Sequence, residues 1–235
     1  MSATQLSPTI SVVIPTLNEA GELPETLSRV QAVTEVTEII VVDAGSSDST
    51  CEIAREQKCT VLECEPSRGK QLRLGAEKAT GDIILLLHAD TWLPENAGRA
   101  MIECLSQPLV VGGGFHKTFR DRPGYIPFSR LRLEFFCRAL KSIYGDQGLF
   151  VRREILEAVG GVPDVPLMEE FVLCKKLSSQ GRLALAKATV QTSSRKFAQE
   201  GVLKTYWRMT VCTVRYWLGA SPEKLVEIYY PQKRK

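Results

Sequence analysis

Four short apolar runs, each rich in β-branched residues and each closed by polar ones, recur before residue 91: "TISVVIPTLN", "EIIVVDAGSSDST", "CTVLECE" and "DIILLLHAD". No other feature constrains the fold so tightly. A strand that is apolar at consecutive positions is buried on both faces, as in a parallel sheet with helices packed above and below it. The intervening stretches "EAGELPETLSRVQAV", "STCEIAREQ" and "RGKQLRLGAEKA" have helical spacing. Asp48 or Ser49 is placed to cap the second, and Gly81 ends the third. Strands joined by helices of this length make βαβ units, so the first half is predicted to be an open α/β sheet with right-handed crossovers.

The second half is less regular. "VVGGGFHKTF" reads as a strand whose glycines admit another backbone at close range. "FSRLRLEFFCRALKS" reads as an amphipathic helix, and "YGDQGLFVRREILEAVGG" as a turn, a short strand and a helix. "MEEFVLCKKLSSQG" has a helical pattern with a glycine C-cap signal, and "RLALAKATVQTS" is strand-like. "VLKTYWRMTVCTVRYWLG" reads as a long helix whose Leu203, Tyr206, Trp207, Thr210, Val211, Val214, Trp217 and Leu218 form one apolar stripe. Core packing is the expected use of that stripe; Lys204, Arg208 and Arg215 keep a membrane-surface face as the alternative.

Composition narrows the function classes. The chain has 235 residues, 44% of them hydrophobic and 24% charged, which suits a soluble globular protein with a sizeable core. A formal net charge of +3 is too small a bias to make nucleic acid the main partner. No apolar run approaches the ~20 residues that span a bilayer, and "MSATQLSPTI" lacks a signal pattern, so a cytoplasmic location is expected. The basic end "PQKRK" reads as a solvated tail. Seven scattered cysteines without a CxxC pair argue against a disulfide framework and are expected to be small core hydrophobes. The two histidines, His88 and His116, do not make a zinc cluster with them, and His116 on its glycine-flanked strand reads as structural.

In an open α/β sheet, ligands bind beyond the carboxyl ends of the strands, where helix N-termini and loop amides converge. Three such ends carry polar groups here: "PTLNE", "DAGSSDST" and "HAD". His88 and Asp90, at alternate positions, share a side and project into the cleft. Asp43 closes an apolar strand, where an ionised acid is costly unless donors compensate it, and a nucleobase N–H is one suitable donor. The loop "GSSDST" fits either a phosphate contact or an ordinary turn. Neither the Walker A pattern nor GxGxxG is present, which disfavours a P-loop NTPase or a nicotinamide-binding Rossmann protein.

"SVVIPTLNEAGELPETL", "IIVVDAGSSDST", "RGKQLRLGAEKATGDIILLLHADTWLP" and "GDQGLFVRRE", in that order and spacing, resemble family 2 glycosyltransferases of the GT-A fold. In particular they resemble the small bacterial transferases associated with radical-SAM and selenoprotein gene neighbourhoods. The resemblance runs from about Ile10 to about Tyr230. It implies one domain over residues 1–235, with a nucleotide-binding half at about 8–110, an acceptor-binding half at about 111–200, and C-terminal helices and a basic tail at about 201–235. On that resemblance Pro15, Thr16, Asn18 and Glu19 embrace the nucleoside, Asp43 meets the uracil edge, and Asp48 is the acid of the second loop. Arg68 and Lys70 stand where the family has a basic residue near the nucleotide. His88, Ala89 and Asp90 occupy the family's DxD position, so Asp90, with His88 in place of the first acid, is expected to hold Mg²⁺ or Mn²⁺ against the diphosphate. Glu170 aligns with the family's base and Glu169 with the acid before it. Two acids opening a helix also satisfy its dipole, which is their alternative role. Asp146 and Gln147 are expected to hold hydroxyls, with Gly148 at the cofactor side; a plain turn over Gly145–Gly148 is the alternative. Arg195, beside Lys196, either closes over the diphosphate or belongs to a basic surface loop.

The resulting expectation is a metal-dependent, inverting transferase that moves a hexose from a nucleotide diphosphate sugar, with a UDP-sugar favoured, to a hydroxyl the sequence does not identify. Peripheral contact with the inner face of a membrane is compatible with it, and oligomeric state is open. Two other functions are compatible with parts of the pattern. A sugar nucleotidyltransferase usually shows a glycine- and arginine-rich loop after the first strand, and "PTLNEAGE" does not. A regulatory domain without turnover is kept open by His88 and Glu170, both departures from the family pattern.

Overall fold

The structure, a computed structural model, describes residues 7–121 and 142–229, together with all their side chains except those of Lys196, Leu203 and Tyr206. The helix expected from Phe128 to Lys141 and the tail beyond Tyr229 lie outside the described residues. The elements run β1 (Ile10–Thr16), α1 (Leu23–Gln31), β2 (Val36–Asp43), α2 (Thr50–Glu56), β3 (Thr60–Glu63), α3 (Arg68–Lys78), β4 (Ile83–Leu86), β5 (Thr91–Trp92), α4 (Ala97–Leu105) and β6 (Val110–Phe119). After a 3₁₀ turn (Gly145–Gln147) come β7 (Leu149–Arg152), α5 (Arg153–Ala158), α6 (Glu169–Leu177), β8 (Arg182–Thr192), α7 (Arg195–Glu200), α8 (Val202–Trp217) and α9 (Pro222–Tyr229).

The eight strands form one mostly parallel sheet in the order β3-β2-β1-β4-β7-β6-β8-β5. This is the α/β arrangement that the consecutive apolar runs require. Val12 and Ile14 of β1 pack with Leu23, Leu27 and Val30 of α1 on one face. Val13, between them, packs with Leu72 of α3 and Leu173 and Leu177 of α6 on the other. Both faces of β1 are therefore covered, which is why its sequence does not alternate. The second half enters through β7, which is antiparallel to both β4 and β6. Beyond it, β6 and β8 run parallel. A side chain at Gly112 or Gly113 would collide with the carbonyl of Phe150 or of Ala184, so the close backbone approach expected for this strand is present.

Several local expectations change. β4 ends at Leu86, and His88–Asp90 form a turn closed by Thr91 N donating to the His88 carbonyl at 3.1 Å. α6 ends at Ser178 in a right-handed conformation, without a left-handed glycine cap. Cys104, Cys174 and Cys212 are buried as expected, but Cys51, Cys59 and Cys64 are only half-buried.

The largest correction concerns α8. The stripe expected to pack into the core faces outward: Trp207 is 72% and Leu218 81% exposed, and Val214 and Trp217 are half-exposed. The face α8 buries is the opposite one, carrying Thr205, Cys212 and Thr213. Helical periodicity identifies an apolar face but not what covers it; here Thr205, Cys212 and Thr213 border a cavity, and Tyr216 meets Phe171 of α6. No described helix is long and apolar enough to cross a membrane.

Candidate active site

The carboxyl ends of β1 and β2 are tied into one rim. Thr16 Oγ1 donates to Asp43 Oδ2 at 2.9 Å, while Asp43 Oδ1 accepts from the amides of Gly45 (2.9 Å) and Ser46 (2.6 Å). Ser46 Oγ adds a fourth donor to Asp43 at 2.6 Å. Burial raises the Asp43 pKa, but the Ser46 side chain and amide and the Thr16 hydroxyl outweigh it and hold the carboxylate below its ordinary range. At 1% exposure, Asp43 spends its lone pairs on its own loop. Pro15 is half-buried within β1. Asn18, at φ 55°, donates its amide to Ser46 Oγ (2.8 Å) and accepts from the Ser47 amide (2.9 Å). The Glu19 amide donates to Thr50 Oγ1 (2.8 Å) and the Ala20 amide to Asp48 Oδ2 (3.2 Å). Asp48 Oδ1 also accepts from the Thr50 amide at 3.1 Å, so Asp48, not Ser49, supplies the side-chain contact at the start of α2.

Across the rim, the turn after β4 is held from behind. The buried Ala89 accepts from Thr26 Oγ1 through its carbonyl (2.6 Å), and the Asp90 carbonyl accepts from Arg120 Nη1 (2.8 Å) and the Ser193 amide (3.2 Å). The Asp90 carboxylate is left facing Arg195, whose Nε lies 3.7 Å away. Arg195 Nη2 meanwhile grips both oxygens of Glu19, at 2.5 and 2.7 Å. Arg195 thus clasps the first loop to the turn after β4. Burial lifts the Asp90 pKa to about 6 against the pull of Arg195.

A second cluster lies beside it. Arg68 Nε pairs with Glu169 Oε1 at 2.9 Å, and Arg68 Nη2 with Glu170 Oε1 at 2.8 Å. The same guanidinium meets His88 Nε2, which is 3.8 Å from Glu170 Oε1. Burial, and then the positive charges of Arg68, Lys117 and Arg195, hold the His88 imidazole neutral, with its pKa well below 6.5. Glu169 moves the other way, to about 8, through burial first and the neighbouring Glu170 charge second. Burial thus favours the protonated form of Glu169 at neutral pH. Met168, just before them, holds a left-handed conformation (φ 67°) that a non-glycine residue adopts only under constraint.

Both clusters open into one cavity of about 300 Å³, lined by Arg68, His88, Asp90, Asp146, Glu169 and Glu170 at its polar end. His88 and Asp90 offer one neutral imidazole and one carboxylate; among the described residues no group of three or more His, Cys, Asp and Glu side chains gathers around a metal position. Lys70 is exposed on α3 outside this lining, and Gly148 (φ 63°) closes the 3₁₀ turn behind it. Gln147 is only 1% exposed: its amide nitrogen donates to the Phe115 carbonyl at 3.0 Å and its oxygen accepts from the Tyr144 amide at 2.9 Å, so it builds the turn.

Three residues escaped the sequence reading. Lys117 pairs with Asp146, and Arg120 pairs with Glu22 at 2.5 Å while stacking over Trp92, 3.9 Å from the ring centroid. Gly145 borders Glu170, His88 and Arg68 so closely that a Cβ would strike all three. Lys117 lies on β6 and Arg120 just past its end, three positions apart, so no strand periodicity in the sequence pairs them.

A family model described as glycosyl transferase family 2 matches residues 11–160. Among curated proteins, the chain is 29% identical over 136 residues to glucosyl-3-phosphoglycerate synthase of Mycobacterium tuberculosis, covering 52% of this chain and 41% of that one. It is 28% identical over 174 residues to undecaprenyl-phosphate 4-deoxy-4-formamido-L-arabinose transferase of Yersinia enterocolitica, covering 68% and 53%. The chain thus spans about half the length, or less, of these relatives. Among solved structures, the mannosyltransferase PcManGT of Pyrobaculum calidifontis, in complex with GDP-Man and Mn²⁺, superposes with a TM-score of 0.69 at 20% identity, over 96% of this chain and 68% of that one. M. tuberculosis glucosyl-3-phosphoglycerate synthase with Mn²⁺, UDP and glucosyl-3-phosphoglycerate gives 0.60 at 19%, over 88% and 78%. A GT-A scaffold is shared across these structures, and with the family model matching well over half its length, the chain belongs to glycosyl transferase family 2.

Proposed function

We propose that the protein is a metal-dependent, inverting glycosyltransferase that moves a hexose from a nucleotide diphosphate sugar, a UDP-sugar in the first instance, to an acceptor hydroxyl. The observation that carries this reading is one cavity lined both by a carboxylate beside an arginine (Asp90, with Arg195 at 3.7 Å) and by two glutamates held by Arg68 (Glu169, Glu170). The nucleoside lies on the rim formed by Pro15, Thr16, Asn18, Glu19 and Asp48. Asp43 supports it by ordering the loop amides, and Lys70 and Gly148 contribute from outside the cavity.

Asp90 and His88 would hold a divalent cation. One carboxylate and one imidazole nitrogen suit Mg²⁺ or Mn²⁺ that takes its remaining ligands from phosphate and water. That cation supplies Lewis-acid stabilisation of the leaving diphosphate. Arg195, released from Glu19, adds a fixed positive charge beside the same phosphates. Arg68 must leave His88 for the imidazole to coordinate, and it stays anchored by the glutamates. Glu170, which lines the cavity beside Arg68, takes the proton of the acceptor hydroxyl, and Glu169 next to it is held toward its neutral form by burial.

The alternatives yield to a direct test. UDP with Mn²⁺ should raise the melting temperature more than GDP or CDP does, UDP-sugars should release UDP on incubation, and Asp90→Ala should lose the Mn²⁺ dependence of the shift. Glu170→Gln should stop release while keeping the shift. Intact metal-dependent binding in Asp90→Ala would overturn the cation assignment; transfer by Glu170→Gln but not by Glu169→Gln would move the base one residue earlier.

We also propose that α8 rests on an anionic lipid surface. Its outward face carries Trp207, Val214, Trp217 and Leu218, with Lys204 and Arg215 exposed along one edge and no acid anywhere in the helix. Aromatic residues flanked by cations are the composition that binds the interfacial region of bilayers.

A further inference from the structure

The cavity that holds the glutamate pair does not end there. Its lining also has an apolar part, a chamber walled by Met168 and Phe171 at the start of α6, Phe119 and Phe197, and Met209 and Cys212 of α8. Edge-on ring pairs stiffen this wall: Tyr144 with Phe171 at 5.4 Å between centroids, Phe171 with Tyr216 at 6.0 Å, and Phe119 with Phe197 at 5.3 Å.

We infer that the acceptor is an uncharged alcohol on an apolar body, which fills this chamber and presents its hydroxyl to Glu170. The inference rests on the transferase reading above and names the substrate that reading leaves open. A sugar diphosphate cannot use the chamber, since its hydroxyls and phosphates would lose their hydrogen bonds against phenylalanine and methionine. Volume sets the size: about 300 Å³ for the whole cavity, at about 30 Å³ per water-sized group, leaves room for a ring or a short branched chain rather than a folded oligosaccharide. Charge sets the class. Among the described residues lining the cavity, the basic one is Arg68, and it is already held by Glu169 and Glu170. Asp90 and Asp146 border the same space, and Lys117 is taken by Asp146. Arg195 and the cation are committed to the donor diphosphate in the reading above, and Arg68 and Lys117 to their carboxylate partners, so among the described residues no cation is left for a phosphate or carboxylate on the acceptor. In the transfer, the acceptor oxygen forms a bond to the anomeric carbon, and the bond from that carbon to the phosphate oxygen breaks. The electron pair leaves with the nucleoside diphosphate, and the hydroxyl proton goes to the Glu170 carboxylate.

The test uses the full chain, Mn²⁺ and a panel of UDP-glucose, UDP-galactose, UDP-N-acetylglucosamine and GDP-mannose, with geraniol as the apolar probe. Glycerol, 3-phosphoglycerate and geranyl phosphate serve as the polar and charged comparisons. Geraniol should accelerate nucleotide release at least tenfold over the donor alone, and each of the others less than twofold. Met209→Trp, which fills the chamber, should lose the geraniol response while UDP still shifts its melting curve; Met209→Leu, close in volume, should keep the response. A larger response to any comparison compound, a geraniol response that survives Met209→Trp, or a UDP shift with no geraniol response overturns the acceptor assignment alone. No UDP shift and no nucleotide release with any donor overturns the transferase reading, and the acceptor assignment falls with it.

Discussion

Gly145 shows how much of this site is decided by one missing methyl group. Its Cα sits where Glu170, His88 and Arg68 meet, and Gly145→Ala would push the three apart. Because a displacement of about 1 Å in a catalytic group costs on the order of a hundredfold, Gly145→Ala should lower kcat about a hundredfold in a UDP-release assay, and, since His88 is displaced too, should also weaken the Mn²⁺ dependence of UDP binding. Glu169 offers a pH test. Its pKa rises from 4.5 in the unfolded chain to about 8 in the fold, so its contribution is fully present below pH 4.5 and is lost as pH climbs through 8. Glu169→Gln removes that dependence: the melting-temperature difference between variant and wild type should grow in the variant's favour from pH 5 to 8, by at most about 1.4 kcal/mol per pH unit, and then level off. A constant difference across that range would show that Glu169 does not carry the proton. Asp90 was legible in the sequence because an acid that closes an apolar run stands out against its neighbours, whereas the glutamate pair stood out only through the family resemblance, since two acids opening a helix also serve its dipole. Gly145 and Lys117 were not legible, since their roles come from partners 25 and 29 residues away, Glu170 and Asp146, which only the folded chain brings to them.

At the scale of elements, the strands were readable because burial on both faces writes itself as an unbroken apolar run. The end of β4 was misjudged: the apolar run leads directly into "HAD", yet the ladder stops at Leu86 and the polar triplet turns away. α8 was readable as a helix but not as to its orientation, because an apolar stripe looks alike whether another element or a lipid surface covers it. Its exposed face makes a prediction at this scale. The protein should co-sediment with vesicles containing about a third phosphatidylglycerol but not with pure phosphatidylcholine. Trp207→Ser combined with Trp217→Ser should weaken that binding about tenfold or more without lowering the melting temperature, since both side chains are at least half-exposed. Equal sedimentation of the double variant would show that the face does something else.

For the molecule as a whole, β7 is the strand on which the arrangement turns. β4 borders the site through His88 and Asp90, yet its outer edge is covered only when the chain reaches Leu149, after β6 has been laid down. A fragment ending at residue 109 would expose the backbone edge of β4, apolar on both sides, and is expected to aggregate; a monomeric, cooperatively melting fragment in light scattering and calorimetry would contradict this. What looks in the chain like a leading portion and a trailing one is, in space, a single fabric sewn through its middle. An ancestor of such a protein could not trade one portion for a ready-made replacement. Under the proposed function, new acceptor preferences would have to accumulate by piecemeal substitution within the sheet that also carries the nucleotide rim.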